Sequence, residues 1–368
     1  MWPGLQRYSP MSRVLLVSML LLLASGCRAV RLLGGGRRGL ARRALGGTTS
    51  SGVELGPSGF ETGDLLMTGL NGDQDISVKV ISCREVVQEA ILRNDLSPVA
   101  AKALAETMAC ALLLGSGYKG EETLQVNIVG KGGLRNVMCI TDGDLKTRGM
   151  VGVPRFSGNA AELRTKDLFG DEGQVQIVRN HPSWKKPQVG IVALRDASVA
   201  LNLALYMSES EQRSAFLLTD VSVEGSLCRH ALAICVERLP GATEENIEQS
   251  IKNVEQVEKK TLRSYLARSQ EERAKDQGEF RDFAPMLDKI LDDAMQGMSS
   301  DLRWTKPPKF RCSCDVEKVW RTLRLLPKDE VKAILAEPVN KDGVSINCEF
   351  CGEKYSLSQE QIKETLEL

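Results

Sequence analysis

The sequence predicts an α+β protein with three parts: an N-terminal domain on a mainly antiparallel sheet with helices, a helical linker, and a small C-terminal zinc-binding domain. Strand-length apolar stretches follow one another without intervening helices through the middle of the chain, which argues for an antiparallel sheet and against a doubly wound parallel one. From Gly241 a charge-dense segment carries apolar residues at helical spacing. The C-terminal region holds two close cysteine pairs and no histidine.

Taken in chain order, the first element is a leader. The 368 residues carry 48 Lys+Arg and 48 Asp+Glu, but residues 1–53 contain eight arginines, no lysine and no acid. Subtracting those arginines leaves 40 basic against 48 acidic residues, a body of net charge −8. Residues 14–24 form an apolar run of signal-peptide length, too short to span the roughly 30 Å of bilayer hydrocarbon. The stretch behind it is rich in Arg, Gly and hydroxyls, the composition of a transit peptide. Residues 1–53 are therefore expected to be a bipartite targeting leader, addressed to the plastid stroma, with mitochondrion or cytoplasm as alternatives and a disordered extension or misassigned start as the plainer reading. The mature chain is not expected to insert stably in a membrane. Residues 54–75 are expected to be disordered or a linker.

Residues 76–240 are expected to form the N-terminal domain. Residues 76–81 alternate as a short strand, and 85–92 have helical spacing. Ser97 and Pro98 then open a long helix through Leu114, as N-cap and first-turn proline. Strands are expected over 124–129, 134–141, 174–178, 189–194, 215–223 and 231–236, with a helix at 197–206. Gly130-Lys131-Gly132-Gly133 lacks the phosphate-loop pattern, lies between two strands and reads as a hairpin turn. Cys83, Cys110, Cys139, Cys228 and Cys235 have no motif spacing and read as small core residues. With only His181 and His230 in the chain, mechanisms needing several imidazoles are excluded. No catalytic residue is assigned, and the protein does not read as an enzyme.

Residues 241–305 form the expected linker. Of the 42 residues 241–282, ten are acidic and eight basic, and Ile247, Ile251 and Val254 mark a thin apolar stripe. A stripe this narrow cannot repay ordering entropy alone and needs something to dock against.

Residues 306–368 contain Cys312-Ser313-Cys314 and, after thirty-three intervening residues, Cys348-Glu349-Phe350-Cys351-Gly352. Two thiol pairs so spaced are expected of a four-thiolate tetrahedral zinc site, one ion per chain, with Cys312, Cys314, Cys348 and Cys351 as ligands. A module this small needs the metal as its staple. The spacing fits an inert structural ribbon and a redox role equally, because zinc-held thiolates are the form that oxidants attack.

Phe310-Arg-Cys312-Ser-Cys314 with Cys348-Glu-Phe-Cys351-Gly-Glu-Lys-Tyr355 resembles the C-terminal zinc domain of the heat shock protein 33 family of redox-regulated chaperones. The resemblance continues upstream through Arg84-Glu-Val-Val-Gln-Glu-Ala90, Ser97-Pro98-Val99-Ala100, Gly190-Ile191-Val192-Ala193-Leu194, Tyr206-Met-Ser-Glu-Ser-Glu-Gln212 and Leu239-Pro-Gly-Ala-Thr-Glu-Glu245. It implies an ATP-independent holdase for unfolded clients, inactive when reduced and zinc-bound and switched on by peroxide or hypochlorite together with unfolding stress. Oxidation would pair Cys312 with Cys314 and Cys348 with Cys351 and release zinc. The linker would be metastable and unfold, and the N-terminal domain would bind clients and dimerise. The linker's need for a docking surface makes the zinc module the natural candidate to hold it down.

Two other classes compete. A nucleic-acid-binding zinc ribbon would need a basic face with interleaved aromatics, which a body of charge −8 with 5% aromatic residues does not favour; a protein-binding ribbon without a switch is its neighbour. A thiol oxidoreductase using Cys348 and Cys351 would need a strand-to-helix setting and would leave the other pair without a task.

Overall fold

The computed structural model describes residues 30–32, 63–158, 163–262, 264–266, 284–298 and 302–368. The leader expected over 1–53, apart from Val30–Leu32, and much of the linker, residues 267–283, lie outside the described residues. The chain divides into two compact units, Ala44–Arg311 and a smaller one of Cys312–Leu368 with Met1–Arg43.

The larger unit holds two sheets. One comprises β4 (Thr123–Val129), β5 (Asn136–Asp142), β6 (Lys146–Val151), β7 (Gln174–Asn180), β8 (Gln188–Ala193) and β12 (Lys309–Phe310), in the order β12-β6-β5-β4-β7-β8. The other comprises β2 (Leu65–Leu70), β3 (Ile76–Ser82), β9 (Ala215–Glu224), β10 (Leu227–Arg238) and β11 (Leu302–Lys306), in the order β11-β2-β3-β10-β9. Every described pairing in them is antiparallel except β12 with β6. The expected fold class therefore holds.

Helix α1 (Arg84–Asn94) follows β3, and α2 (Pro98–Gly115) fills the core between the sheets. Ser97 caps α2, its side chain accepting from the Ala100 N–H, with Pro98 in the first turn. Its Ala- and Leu-rich sequence favours helix and packs closely. The helix is long and apolar enough to cross a membrane, but it is buried inside the unit. Cys83, Cys110, Cys139, Cys228 and Cys235 are buried in this core, as expected. Burial pushes the Cys139 and Cys228 thiols up to about 12 and that of Cys235 to about 11, so they remain protonated at neutral pH.

The glycine-rich stretch at 130–133 is the turn between β4 and β5. A Cβ on Gly130 would stand 1.7 Å from the Phe169 carbonyl oxygen, so glycine here lets the turn lie against α3 (Thr165–Phe169). Helix α4 (Val199–Ser210) starts two residues later and runs further than expected, capped by Ser198.

Two boundaries need correction. Residues 65–70, expected in a disordered or linking stretch, form β2, paired with β3 through a turn in which Asn71 Oδ1 accepts from the Asp75 and Ile76 N–H groups. Residues 302–306, expected to straddle the end of the linker at 305 and the start of the zinc domain at 306, form β11 on the outer edge of β2, and residues 306–311 belong to the larger unit.

The five-stranded sheet is covered on both faces. Ala231, Ala233 and Cys235 of β10 face the α2 core, while Leu232, Ile234 and Val236 face a second apolar cluster under the linker helices α5 (Glu244–Lys260) and α6 (Ala284–Ala294). This double burial explains the continuous apolar run of β10, where a one-sided sheet would alternate with polar residues.

Candidate metal centre

In the smaller unit α7 (Val316–Leu323), α8 (Lys328–Ala336) and α9 (Gln359–Leu366) pack with the hairpin β13 (Val344–Cys348) and β14 (Lys354–Leu357). Strand β1 (Val30–Leu32) lies antiparallel to the other edge of β13. The core here is small: eight buried apolar residues, among them Val319, Leu323, Val331, Ile346 and Ile362. Asp315 caps α7 by accepting from the Lys318 N–H, and Ser358 with Gln361 forms a capping box on α9.

These elements bring together all four expected ligands. The Sγ atoms of Cys312, Cys314, Cys348 and Cys351 lie within 4.8 Å of one another and could hold a metal ion. Cys348 ends β13; its carbonyl accepts from the Gly352 N–H at 2.8 Å, and Gly352 takes φ +69°, which closes a turn around the second pair. Two separations that cross between the pairs are 3.7 Å for Cys312 to Cys348 and 3.3 Å for Cys314 to Cys351. They are far from the roughly 2.05 Å of a disulfide and near the roughly 3.8 Å edge of a tetrahedron with Zn–S bonds of about 2.3 Å. The donor set and spacing thus fit zinc.

Thiols this close oppose one another's ionisation. Contact with Cys312 and then Cys351 drives the Cys348 thiol far up, and Cys351 is pushed up to about 12, first by Cys312. A divalent cation reverses that logic by favouring thiolate. Tyr355, named from the sequence only as the end of the second motif, lies beside these thiols, and burial and then Cys314 raise its hydroxyl. Such an outer partner orients a ligand. The Cys348-x-x-Cys351 segment occupies a turn between two strands, not a strand-to-helix junction, which weighs against the thiol oxidoreductase class.

The linker's docking surface is the five-stranded sheet within the larger unit, where the zinc module had been expected to hold it. Its buried stripe also differs: Asn253, Val254 and Val257 of α5 are buried, while Ile251 is 53% exposed. Three polar devices fix the helices. Asp75 accepts from the Thr243 N–H and from Asn246 Nδ2 at the start of α5. Asn253, fully buried, donates to the Ala294 and Gln296 carbonyls at 3.1 and 2.8 Å and accepts from Gln249. Asp293 accepts from Tyr265 at 2.7 Å, Lys260 at 2.9 Å and Lys289 at 2.8 Å. Burial alone would raise the Asp293 carboxyl, but Lys289, Lys260 and Tyr265 outweigh it and hold it down to about 2. From α6 a strap continues to the cysteines. Arg303 of β11 pairs with Asp288 and Asp292 of α6, and the Lys309 and Arg311 N–H groups donate to Leu145 and Thr147.

Comparison with known proteins places the chain in context. The family model described as Hsp33 protein matches residues 64–358. The 33 kDa chaperonin of Desulforamulus reducens is 27% identical over 307 residues, covering 82% of this chain and 97% of that protein. That of Carboxydothermus hydrogenoformans is 28% identical over 305 residues, covering 82% and 97%. The crystal structure of the 33 kDa chaperonin (heat shock protein 33 homolog) from Thermotoga maritima aligns with a TM-score of 0.68 at 22% identity, covering 83% of this chain and 98% of that one, a likeness of fold.

Proposed function

The chain belongs to the Hsp33 family, and on that premise we propose that it is a redox-regulated, ATP-independent holdase, a chaperone and not an enzyme, that binds unfolded proteins under oxidative stress. The observation that carries the proposal is the convergence of four thiols within 4.8 Å at the end of the strap that pins the linker.

Zinc bound by Cys312, Cys314, Cys348 and Cys351 would hold them as thiolates and supply the folding free energy that eight buried apolar residues do not. Oxidation joins Cys312 to Cys314 and Cys348 to Cys351. Each pair of thiolates forms one S–S bond and gives up two electrons, which a peroxide takes up together with two protons from solvent as its O–O bond breaks and it becomes two waters. The four ligands are then lost and the small unit loses its staple. Disorder beginning at Cys312 reaches Arg311 and β12 directly along the chain, then β11 with Arg303, then α6. Release of α5 and α6 uncovers Met67, Ile76, Val78, Val80, Leu232, Ile234 and Val236, an apolar face that nonnative clients can bind.

With all four sulfurs within 4.8 Å, a second connectivity, Cys312 with Cys348 at 3.7 Å and Cys314 with Cys351 at 3.3 Å, is also within reach and would cross-link the unit instead of freeing it. Peptide mapping of the oxidised chain distinguishes the two. The homodimer expected on oxidation follows from the family resemblance, and the plastid stroma from the leader's composition. A thiol switch suits that compartment, since in an oxidising lumen the thiols would already be paired.

The test follows zinc, free thiols and suppression of client aggregation in one sample before and after peroxide. One zinc per chain is expected in the reduced state, lost as activity appears. Full activity in the reduced, zinc-loaded protein, or zinc that survives oxidation, would defeat the switch.

A further inference from the structure

The interface between the linker helices and the five-stranded sheet is rich in thioethers. Met67 of β2, Met286 of α6 and Met295, which opens the turn after α6, are buried in it, and Met298, later in that turn, packs against its rim. Among the described methionines Met298 alone is not buried. Its N–H donates to the Met295 carbonyl at 3.0 Å. The preceding Gly297 has φ +81°, and Gln249 of α5 stands 3.3 Å from where its Cβ would be. Behind this turn the Met295 sulfur lies 3.1 Å from the Cβ position of Gly69, on the strand that β11 also pairs with. A partly exposed methionine therefore follows a buried one by three residues, in the turn where α6 closes on both α5 and the sheet.

We propose that Met298, and behind it Met295, form a sulfoxidation site for hypohalous acids, through which the linker is loosened independently of the four cysteines. The hypohalous acid transfers its oxygen to Sδ: the O–halogen bond breaks, an S–O bond forms, and the thioether's two electrons leave with the halogen as halide, together with one proton. The product is a polar, chiral acceptor in a cluster made of apolar side chains, so its oxygen must turn to water and draw the turn outward. That movement uncovers Met295 for the same reaction. Each sulfoxide is expected to raise the undocked fraction of α5 and α6 about tenfold.

The consequence for clients rests on the function proposed above, but the mark differs chemically from a disulfide. Thiol reductants reverse disulfides and leave sulfoxides, which methionine sulfoxide reductases repair. In the test, full-length zinc-loaded protein is treated with hypochlorite, then with dithiothreitol and zinc until the four thiols and the zinc are recovered. Peptide mapping should find sulfoxide at Met298 first. Amide exchange in α5 and α6 should stay about tenfold or more faster than at the start, and return on adding the reductases. The Met298→Leu/Met295→Leu variant, a volume-conserving exchange, should melt like the parent and regain slow exchange after thiol reduction alone. The proposal is overturned if the parent also regains slow exchange at that step, if the variant stays fast, or if the reductases restore nothing. Client binding that never appears before reduction would sink the thiol-switch reading, while the exchange measurement would still decide the methionine site.

Discussion

Asn253 offers the sharpest perturbation of the linker without touching a cysteine. It is fully buried on α5, and its amide ties the end of α6 to α5 through the Ala294 and Gln296 carbonyls. In Asn253→Ala the Ala294 carbonyl loses this donor, while that of Gln296 keeps Gln249 at 3.1 Å. One orphaned buried carbonyl and a small void cost about 2 kcal/mol, a factor of roughly 30 in the docking equilibrium. Asn253→Asp keeps the shape but turns an acceptor towards those carbonyls, and its effect should be at least as large. The assay is amide exchange of α5 and α6 in reduced, zinc-loaded protein, with client aggregation measured alongside. Exchange should quicken by about that factor and holdase activity should appear in part without oxidant, with zinc content unchanged. Slow exchange within a factor of two of the parent in both variants would refute the assignment of Asn253 as a clasp. Fast exchange with no gain in client binding would instead refute the sheet face as the client surface.

Asp293 makes a pH prediction. Its folded pKa is depressed from 3.8 to about 2, so its contribution is present above pH 4 and is lost as pH falls from 4 towards 2. Because Lys260 and Lys289 reach water, that contribution is about 1 kcal/mol, and Asp293→Asn should remove it at neutral pH and flatten the acid limb of linker protection in a pH series of amide exchange. Gly69→Val should push α6 away, since even a Cβ would sit 3.0 Å from Leu291 and 3.1 Å from Met295; a loss of about 1–3 kcal/mol in docking is expected, read by limited proteolysis of the linker. Cys348→Ser should abolish stoichiometric zinc, leave residues 312–368 without a cooperative melting transition, and give holdase activity without oxidant, checked by metal analysis, calorimetry and aggregation assay.

The thiol convergence was legible because ligand spacing is a local property of sequence, and so was α2, announced by Ser97-Pro98 and its Ala-Leu run. Tyr355 was not, because its contact with Cys314 depends on how the β13–β14 hairpin faces a loop some forty residues away. Strand β2 was hidden for a related reason. Leu65–Leu70 has no turn signal before it that differs from a linker's, and its identity comes from pairing with β3 on one side and β11 on the other. Strand β11, with four of five residues exposed, has no apolar alternation to read. Ile251 looked buried because it continued a helical stripe with Ile247 and Val254, yet α5 is rotated so that the polar Asn253 goes inward to its carbonyl partners. The rotation of α5 on its apolar cluster is thus fixed in part by hydrogen bonds that hydropathy does not record.

The pairing of β11 with β2 has a consequence for biosynthesis. Leu70 leaves the ribosome 232 residues before Leu302, its partner. At about 5–20 residues per second, the interval between them is on the order of 10–50 s. Throughout it β2 and β3 are available to one another, but α6 and the strap that closes over them have not been made. Each new chain therefore passes through a stage with its own sticky sheet face bare, and nascent molecules need protection of the same kind that the finished one is proposed to give.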